Sequence, residues 1–340
     1  MRGVVVLGDR QAKVVEFPDP NPGEGEVVVA MRAAAVCGSD LHGYRASTAE
    51  RAANADTIPG HEPAGVVAAV GEGVRRVKVG DRVSIYHFRA CGHCRRCRGG
   101  QMMWCAERRG YGGPIHGSDA DYLLTDERNC LPLPDDLSFE VGALIACNTG
   151  TAFSSMKKLA PSAGDTLAVF GLGPVGLNGL LIAKAMGARV VGVDVSAYRR
   201  NLALELGAEI VLDPSSVNVP QELHRLTDGA GADLAFETSG NTKAQAQVPD
   251  ALGFGGKAVF VGFGAREPSI NPSAIIGKQL VLMGSFVASV NDYWDIVDFI
   301  RGQQLPLEKM ITHRFPLSEA SEAFRLADSG MTGKVMFVWP

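Results

Sequence analysis

Hydrophobic and polar positions follow two different rhythms along this chain. From the amino terminus to about residue 148, short alternating runs such as "EVVVAMRAAAV", "EPAGVVAAVGEGV" and "DRVSIYHF" are broken by glycine and proline. That pattern predicts short strands in a twisted, mostly antiparallel, β-rich domain. After "LIACNTGTAFSSMKKLA" the rhythm changes: apolar runs "TLAVFG", "RVVGVD", "ADLAFETSG" and "KAVFVG" alternate with the helical stretches "VGLNGLLIAKAMGA" and "YRRNLALELGA". Alternation of this kind predicts a parallel sheet with helices on both faces, an α/β fold. From about Val290, "DYWDIVDFIRGQQ", "SEASEAFRLADSG" and "KVMFVW" read as α+β again and return to the first domain. The expected domains are therefore residues 1–148 with 290–340, and residues 149–289.

Composition narrows the class. A chain of 340 residues exceeds what one core usually organises, consistent with two domains. With 46% hydrophobic and 21% charged residues and a formal net charge of -4, it has the profile of a soluble protein and no overall attraction for nucleic acid. The opening "MRGVVVLGDRQAKVVEFP" is too short in its apolar run for a signal peptide or anchor. The most membrane-like stretch, Leu167 to Ala183, is interrupted by four glycines, a proline and an asparagine, so it reads as a buried strand and helix. The expected address is cytoplasmic with no membrane partner, and a reducing cytosol favours metal binding over disulfides for clustered cysteines.

Such a cluster exists. Cys91, Cys94, Cys97 and Cys105 form C-x2-C-x2-C-x7-C in "ACGHCRRCRGGQMMWCA". The spacing lets four thiolates converge tetrahedrally on one ion, and a closed shell of four leaves no open position, so the expected role is a zinc cross-link of a long loop. An iron–sulfur cluster is the less common alternative. Arg95, Arg96 and Arg98 interleave the cysteines as in a nucleic-acid zinc finger, but the acidic whole chain and the single knuckle make them solvent-facing.

A second motif is "TLAVFGLGPVGLNGLLIAKAMGARVVGVD". Gly171, Gly173 and Gly176 directly follow an apolar strand, Pro174 and Val175 open a helix, and Asp194 ends the next strand. The first glycine makes the turn, the second admits a pyrophosphate, the third lets helix and strand pack, and the acid accepts from the ribose hydroxyls. Asp194 favours NAD over NADP, while Arg199 and Arg200 just beyond it are able to grip a 2′-phosphate.

Three cysteines lie outside the loop. Cys37 sits in "VCGSDLHGY" and Cys147 in "ALIACNTGTAF"; together with His61 of "IPGHEPAGVV" they supply two thiolates and an imidazole, leaving one zinc position open, the pattern of a catalytic site. Cys130 has no such company and reads as packing. The motifs "CGSDLH", "GHEPAGVV", the four-cysteine loop and "GLGPVG", in that order, resemble those of zinc-dependent medium-chain dehydrogenases/reductases, the alcohol and polyol dehydrogenase family, across essentially the whole chain.

The resemblance implies a GroES-like first domain, a Rossmann second domain, two zinc ions per chain and NAD(H). It implies hydride transfer between a small-molecule alcohol, secondary or polyol, and NAD, giving the ketone, in a homotetramer. Further roles come with it: Ser39 receives the substrate proton, His42 hands it to solvent, Asp40 supports His61, Glu62 stands beside the zinc as a ligand in some branches, and Thr151 packs on the nicotinamide. Two departures stand out. Gly38 occupies the place of a basic residue near the pyrophosphate, and Cys147 stands where sorbitol and threonine dehydrogenases carry a carboxylate. Tyr44, His87, Phe88, Trp104 and Tyr111 flank the motifs as candidate pocket walls. The alternatives are a primary alcohol or aldehyde specialist, a threonine-type 3-hydroxy dehydrogenase, or a non-catalytic member; no expected zinc ligand is missing, which speaks against the last.

Overall fold

In the computed structural model, residues 1–51, 56–264 and 270–340 are described. They form two compact units: Met1–Gly150 with Ser289–Ile296 and Ile311–Pro340, and Thr151–Ala288 with Val297–Met310.

The first unit is built on a seven-stranded sheet. Its order is Ile311–Phe315, Lys334–Val338, Glu26–Ala35, Pro63–Val70, Arg82–Ile85 and Cys130–Pro132, with Tyr122–Asp126 also paired to Glu26–Ala35. Every pairing is antiparallel except that of Ile311–Phe315 with Lys334–Val338. Val27, Val29, Met31, Val67, Val83, Ile85 and Leu123 fill one core against this sheet. The register of three neighbouring strands decides where the chemistry falls. Ala34 faces Pro63, the Ala35 N–H donates to the Glu62 carbonyl at 3.1 Å, and Met336 faces Ala35. Cys37, just past the end of one strand, thereby meets His61 and Glu62, just before its neighbour, and Lys334 on the third.

Cys147 arrives by a helix. The segment Phe139–Leu144 is α-helical, with Ser138 as its N-cap accepting from the Val141 N–H at 3.2 Å. The helix then widens into a π turn over Ile145–Thr149 before Gly150–Leu159 resumes the α form. Such turns rotate side chains out of the α-helical register and recur at functional sites; this one carries both Cys147 and Asn148.

The second unit has six parallel strands in the order Ile210–Leu212, Arg189–Val193, Thr166–Phe170, Ala232–Glu237, Leu252–Phe260 and Val281–Gly284. Numbered along the unit this is 3-2-1-4-5-6, the doubly wound arrangement that binds dinucleotides. Ala168, Phe170, Val191, Ala235 and Ala258 are fully or almost fully buried, as a sheet covered on both faces requires. The segment Val297–Met310 belongs to this unit, although the sequence pattern groups it with the first. The reason is packing: Phe299 meets Phe153 with ring centroids 5.5 Å apart, and Asn178 Nδ2 approaches Met310 Sδ at 3.1 Å.

Two glycines in the turn are irreplaceable for different reasons. Gly171 has φ +92, and a Cβ on Gly176 would lie 1.9 Å from the Gly171 carbonyl oxygen. Gly176→Ala forces turn and helix apart and is expected to cost about 1–3 kcal/mol of stability, in the range of overpacked cores. A thermal midpoint equal to the wild type's would contradict this.

Candidate metal centres and dinucleotide site

The four cysteines of the loop converge as their spacing requires. Cys91 and Cys97 Sγ are 3.8 Å apart, Cys94 and Cys97 3.5 Å, and Cys105 and Cys91 3.6 Å. All four sulfurs lie within 4.8 Å of one another. Local structure places them: Cys94 caps the short helix Arg95–Arg98, its sulfur accepting from the Cys97 N–H. Backbone N–H groups of Cys94 and His93 hold the Cys91 thiol down at about 6, which favours the ligating thiolate. A further grouping of Cys91 with His93 and Glu107 shares a cysteine with this set, and its other two members are exposed. The loop is tied down elsewhere: Ser289 Oγ and the Val290 N–H both donate to the Gly100 carbonyl, at 2.9 and 3.0 Å. Arg95, Arg96 and Arg98 are exposed, with Arg96 lying over the Trp104 ring.

The second set is Cys37, His61, Glu62 and Cys147, whose ligand atoms also all lie within 4.8 Å of one another. Asp40 organises it. Its Oδ2 accepts the Cys37 N–H at 2.8 Å, and its Oδ1 is 3.2 Å from His61 Nδ1. With Nδ1 committed to the carboxylate, Nε2 of His61 is the nitrogen available to a metal. Ser39 Oγ lies 3.5 Å from that Nε2. His42, one turn along the helix Asp40–Arg45, is exposed to solvent.

The charges are strongly coupled. A hydrogen bond from Cys147 holds the Cys37 thiol well below its ordinary range, aided by the nearby His61, while Cys147 is pushed up correspondingly. Burial works to lower His61, but Asp40 and Cys37 outweigh it and hold the ring well above the usual imidazole range. Glu62 and Lys334, both fully buried, form an ion pair of 2.6 Å, and Asn148 Nδ2 donates to the other Glu62 oxygen at 3.0 Å. Two sulfurs, an imidazole nitrogen and a neighbouring carboxylate are the donor chemistry of a catalytic zinc site, and four sulfurs are that of a structural one. The residues present fit both ions.

The dinucleotide turn is equally well formed. Gly173 caps the helix Pro174–Ala185 without a side-chain partner, with Pro174 in its first turn, leaving the helix amino terminus open. A Cβ on Gly173 would meet nothing nearer than Arg199 Nη1 at 3.9 Å, so it would fill the space a pyrophosphate needs. Asp194 accepts the Leu172 N–H at 2.7 Å through Oδ2 and the Ser196 N–H at 2.8 Å through Oδ1. That fixes the carboxylate while leaving lone pairs for ribose hydroxyls. Arg200 is occupied by the Asp194 carbonyl at 2.7 Å and the Asp213 carboxylate at 2.9 Å. Val175 follows Pro174 on the helix, and Thr151 is buried in the second unit, its carbonyl accepting from Ser155 Oγ.

Of the candidate pocket walls, His87 alone stands at the centre, its ring 4.6 Å from that of His61. Tyr44 packs against Phe324 in the core, Tyr111 is buried with its hydroxyl bonded to Thr125, Phe88 is buried, and Trp104 lies on the loop. Cys130 packs in the core of the first sheet. Sequence reasoning missed Lys334 and Asn148; a lysine opening an otherwise apolar strand was the available signal.

A nucleotide-binding sheet together with two zinc-competent donor sets defines a metal-dependent dehydrogenase architecture. Residues 23–135 match the alcohol dehydrogenase GroES-like domain and residues 174–302 the zinc-binding dehydrogenase family. The chain is 34% identical over 353 residues to the zinc-type alcohol dehydrogenase-like protein YphC of Escherichia coli K12, covering 100% of this chain and 99% of YphC. It is 32% identical over 334 residues to the L-threonine 3-dehydrogenase of Saccharopolyspora erythraea, covering 96% of this chain and 95% of that one. The alcohol dehydrogenase rspB of E. coli CFT073, solved with NADH, superposes with a TM-score of 0.89 at 25% identity over 100% of this chain and 99% of its own. The chain belongs to the zinc-dependent medium-chain dehydrogenase/reductase family and is an oxidoreductase of its zinc-type alcohol dehydrogenase class. Its first unit is the GroES-like domain and its second the Rossmann domain. No helix among the described residues is long and apolar enough to cross a membrane.

The two donor sets differ in what they support. Cys94→Ser is expected to remove one zinc and lower the thermal midpoint, because the loop loses its cross-link. Cys37→Ser is expected to remove one zinc with a smaller change in midpoint and to abolish turnover. Elemental analysis with a thermal melt checks both; equal melts for the two variants would contradict the division of roles.

Proposed function

We propose that this protein oxidises a secondary alcohol, or a polyol at a secondary carbon, to the ketone with NAD as hydride acceptor. The observation that carries the reading is the Asp40 carboxylate, which binds the backbone of Cys37 and faces the ring of His61 at once and so holds two of the three proposed ligands together. Cys37, His61 and Cys147 would hold the zinc, which would supply a Lewis acid for an alcohol hydroxyl, and the glycine turn would hold the NAD that serves as hydride acceptor.

The chain's own residues do the rest. Asp40 fixes the tautomer of His61 and raises its basicity as a ligand. Ser39 accepts the substrate proton in this reading, which its hydroxyl 3.5 Å from His61 Nε2 supports. His42, on the solvent side of the same helix, exchanges that proton with water. Gly171, Gly173 and Gly176 with the open helix end receive the pyrophosphate, Asp194 accepts from the ribose hydroxyls, Arg199 flanks the turn, and Thr151 contacts the nicotinamide. The Asp194 carboxylate, fixed by the Leu172 and Ser196 N–H groups, repels a 2′-phosphate, so NAD is preferred to NADP.

Two further observations bear on the substrate. Curated relatives act as L-threonine 3-dehydrogenases, and threonine is itself a secondary alcohol, so a 3-hydroxy amino acid is the second reading. Cys147 in the third ligand position favours the simpler alcohols. The working form we propose is a homotetramer.

The test is steady-state oxidation of a panel of secondary alcohols, sugar alcohols and threonine with NAD and NADP. Wild type is expected to show the higher kcat/KM with NAD. Ser39→Ala is expected to lower kcat by about 10²–10⁴, the usual weight of a proton-transfer group, with zinc content unchanged. Full kcat in Ser39→Ala would remove it from the proton path.

A further inference from the structure

Glu237 is a fully buried carboxylate that closes the strand Ala232–Glu237, in the unit that holds the dinucleotide turn. The groups it meets are donors. Its Oε1 accepts the Ser239 N–H at 2.9 Å, the Gly240 N–H at 3.1 Å and the Ser239 hydroxyl. Its Oε2 accepts from Gln245 Nε2 at 3.2 Å, on the helix Thr242–Ala251 that follows. Burying a carboxylate is costly unless hydrogen bonds compensate, and here most of the compensation comes from a single turn. The side chain folds back on its own chain and occupies backbone donors of the kind that otherwise bind anions.

That turn stands where the order of the second sheet reverses. Strands Thr166–Phe170 and Ala232–Glu237 are neighbours, first and fourth in the order 3-2-1-4-5-6, and dinucleotides bind in the crevice beyond the carboxyl ends of such a pair. The glycine turn forms one wall of this crevice, and the chain from Thr238 forms the other. The walls are fastened together: the Thr238 N–H donates to the Phe170 carbonyl at 2.8 Å, and its hydroxyl donates to the Gly171 carbonyl at 2.7 Å. A Cβ on Gly171 would lie 2.9 Å from the Ser239 nitrogen. On the far side, Gln245 Nε2 also donates to the Gly262 carbonyl at 3.2 Å, and a Cβ on Gly262 would lie 2.1 Å from the Gly240 nitrogen. The turn is therefore hemmed in on two sides by close backbone contacts.

We propose that Glu237 is a positioning residue for the dinucleotide, holding Ser239 and Gly240 back so that the crevice stays wide enough for NAD(H). The inference rests on the reading of Gly171, Gly173 and Gly176 as the pyrophosphate turn. Glu237 touches no cofactor atom; it acts through the backbone of Ser239 and Gly240, which has the crevice as its way out once the carboxylate lets go.

The experiment measures the Kd of NADH by calorimetry on the zinc-loaded full chain, with thermal midpoints alongside. It compares wild type with Glu237→Gln, Glu237→Asp and Val248→Ala. Glutamine keeps the shape but turns an NH2 toward groups that themselves donate. Aspartate is one methylene shorter and still accepts from the N–H two residues on. Val248, fully buried in the core of the same unit, makes none of these hydrogen bonds, so its truncation lowers stability alone. Glu237→Gln is expected to raise the Kd of NADH about 10-fold, the weight of a hydrogen bond to a charged group. Glu237→Asp is expected to stay close to wild type, and Val248→Ala to match it. A purely structural role would make the Kd follow the melt, with Glu237→Gln and Val248→Ala alike. That result, or an unchanged Kd in Glu237→Gln, would overturn the proposal while leaving the dinucleotide site standing. Should Glu237→Gln fail to fold, Gln245→Leu decides: it removes the donor to Oε2, a raised Kd supports the proposal, and an unchanged one overturns it. Wild-type protein that binds no NADH would overturn the dinucleotide reading as well.

Discussion

One carboxylate shared between two candidate metal ligands holds the first unit's donor set together. Asp40 accepts the Cys37 N–H with one oxygen and faces His61 Nδ1 with the other, so the positions of a sulfur and an imidazole are set by a single buried side chain. Sheet register brings those groups near each other, but register alone leaves the ring free to turn. The carboxylate stops it, chooses the tautomer, and directs Nε2 inward. Bonds to a charged acceptor are stronger than neutral ones, and a buried partner left unpaired costs more than the bond contributes, so an uncharged residue at position 40 would loosen both ligands together.

That carboxylate sits in an unusually charged interior. Glu62, Lys334 and Asp119 are all fully buried within the same unit. Removing each ion from water costs several kcal/mol, which only close pairing offsets. Glu62 and Lys334 meet that demand directly. Asp119, neither of whose oxygens has a hydrogen-bond partner, meets it differently: burial, reinforced by Asp40, pushes its carboxyl well above the usual carboxylate range. A protein selected for stability alone would fill such a region with apolar side chains. Here the buried charges stand beside the donor set of Cys37, His61, Glu62 and Cys147 instead.

Local features of this design were legible in the sequence, and long-range ones were not. The four-cysteine loop could be read because its ligands lie close together in the chain, so spacing alone implies convergence. The glycines at 171, 173 and 176 could be read because strand, turn and helix are consecutive. Cys37, His61 and Cys147 emerged only as a combination of distant residues whose meeting depends on strand pairing and on a π turn that no local signal announces. Asn148 was invisible for the same reason, and the lysine opening an apolar strand at 334 announced a buried cation without its partner, because register and the π turn bring both against Glu62. The aromatic residues flanking the motifs misled, since sequence proximity to a ligand says little about direction. Tyr44 and Tyr111 point into cores, and His87 alone faces the centre. The sequence pattern groups the tail as one piece, yet Val297–Met310 packs in the second unit, where Phe299 meets Phe153.

The central claim is that six of the seven cysteines divide into a closed set of four and an open set of two joined by His61. X-ray absorption at the zinc edge of fully loaded protein tests this directly. Four sulfurs around one ion and two around the other average to three sulfur neighbours per zinc, with one nitrogen or oxygen completing each mean shell. Two zincs per chain with that mean shell is the result expected. One zinc per chain surrounded by sulfur alone would contradict the account.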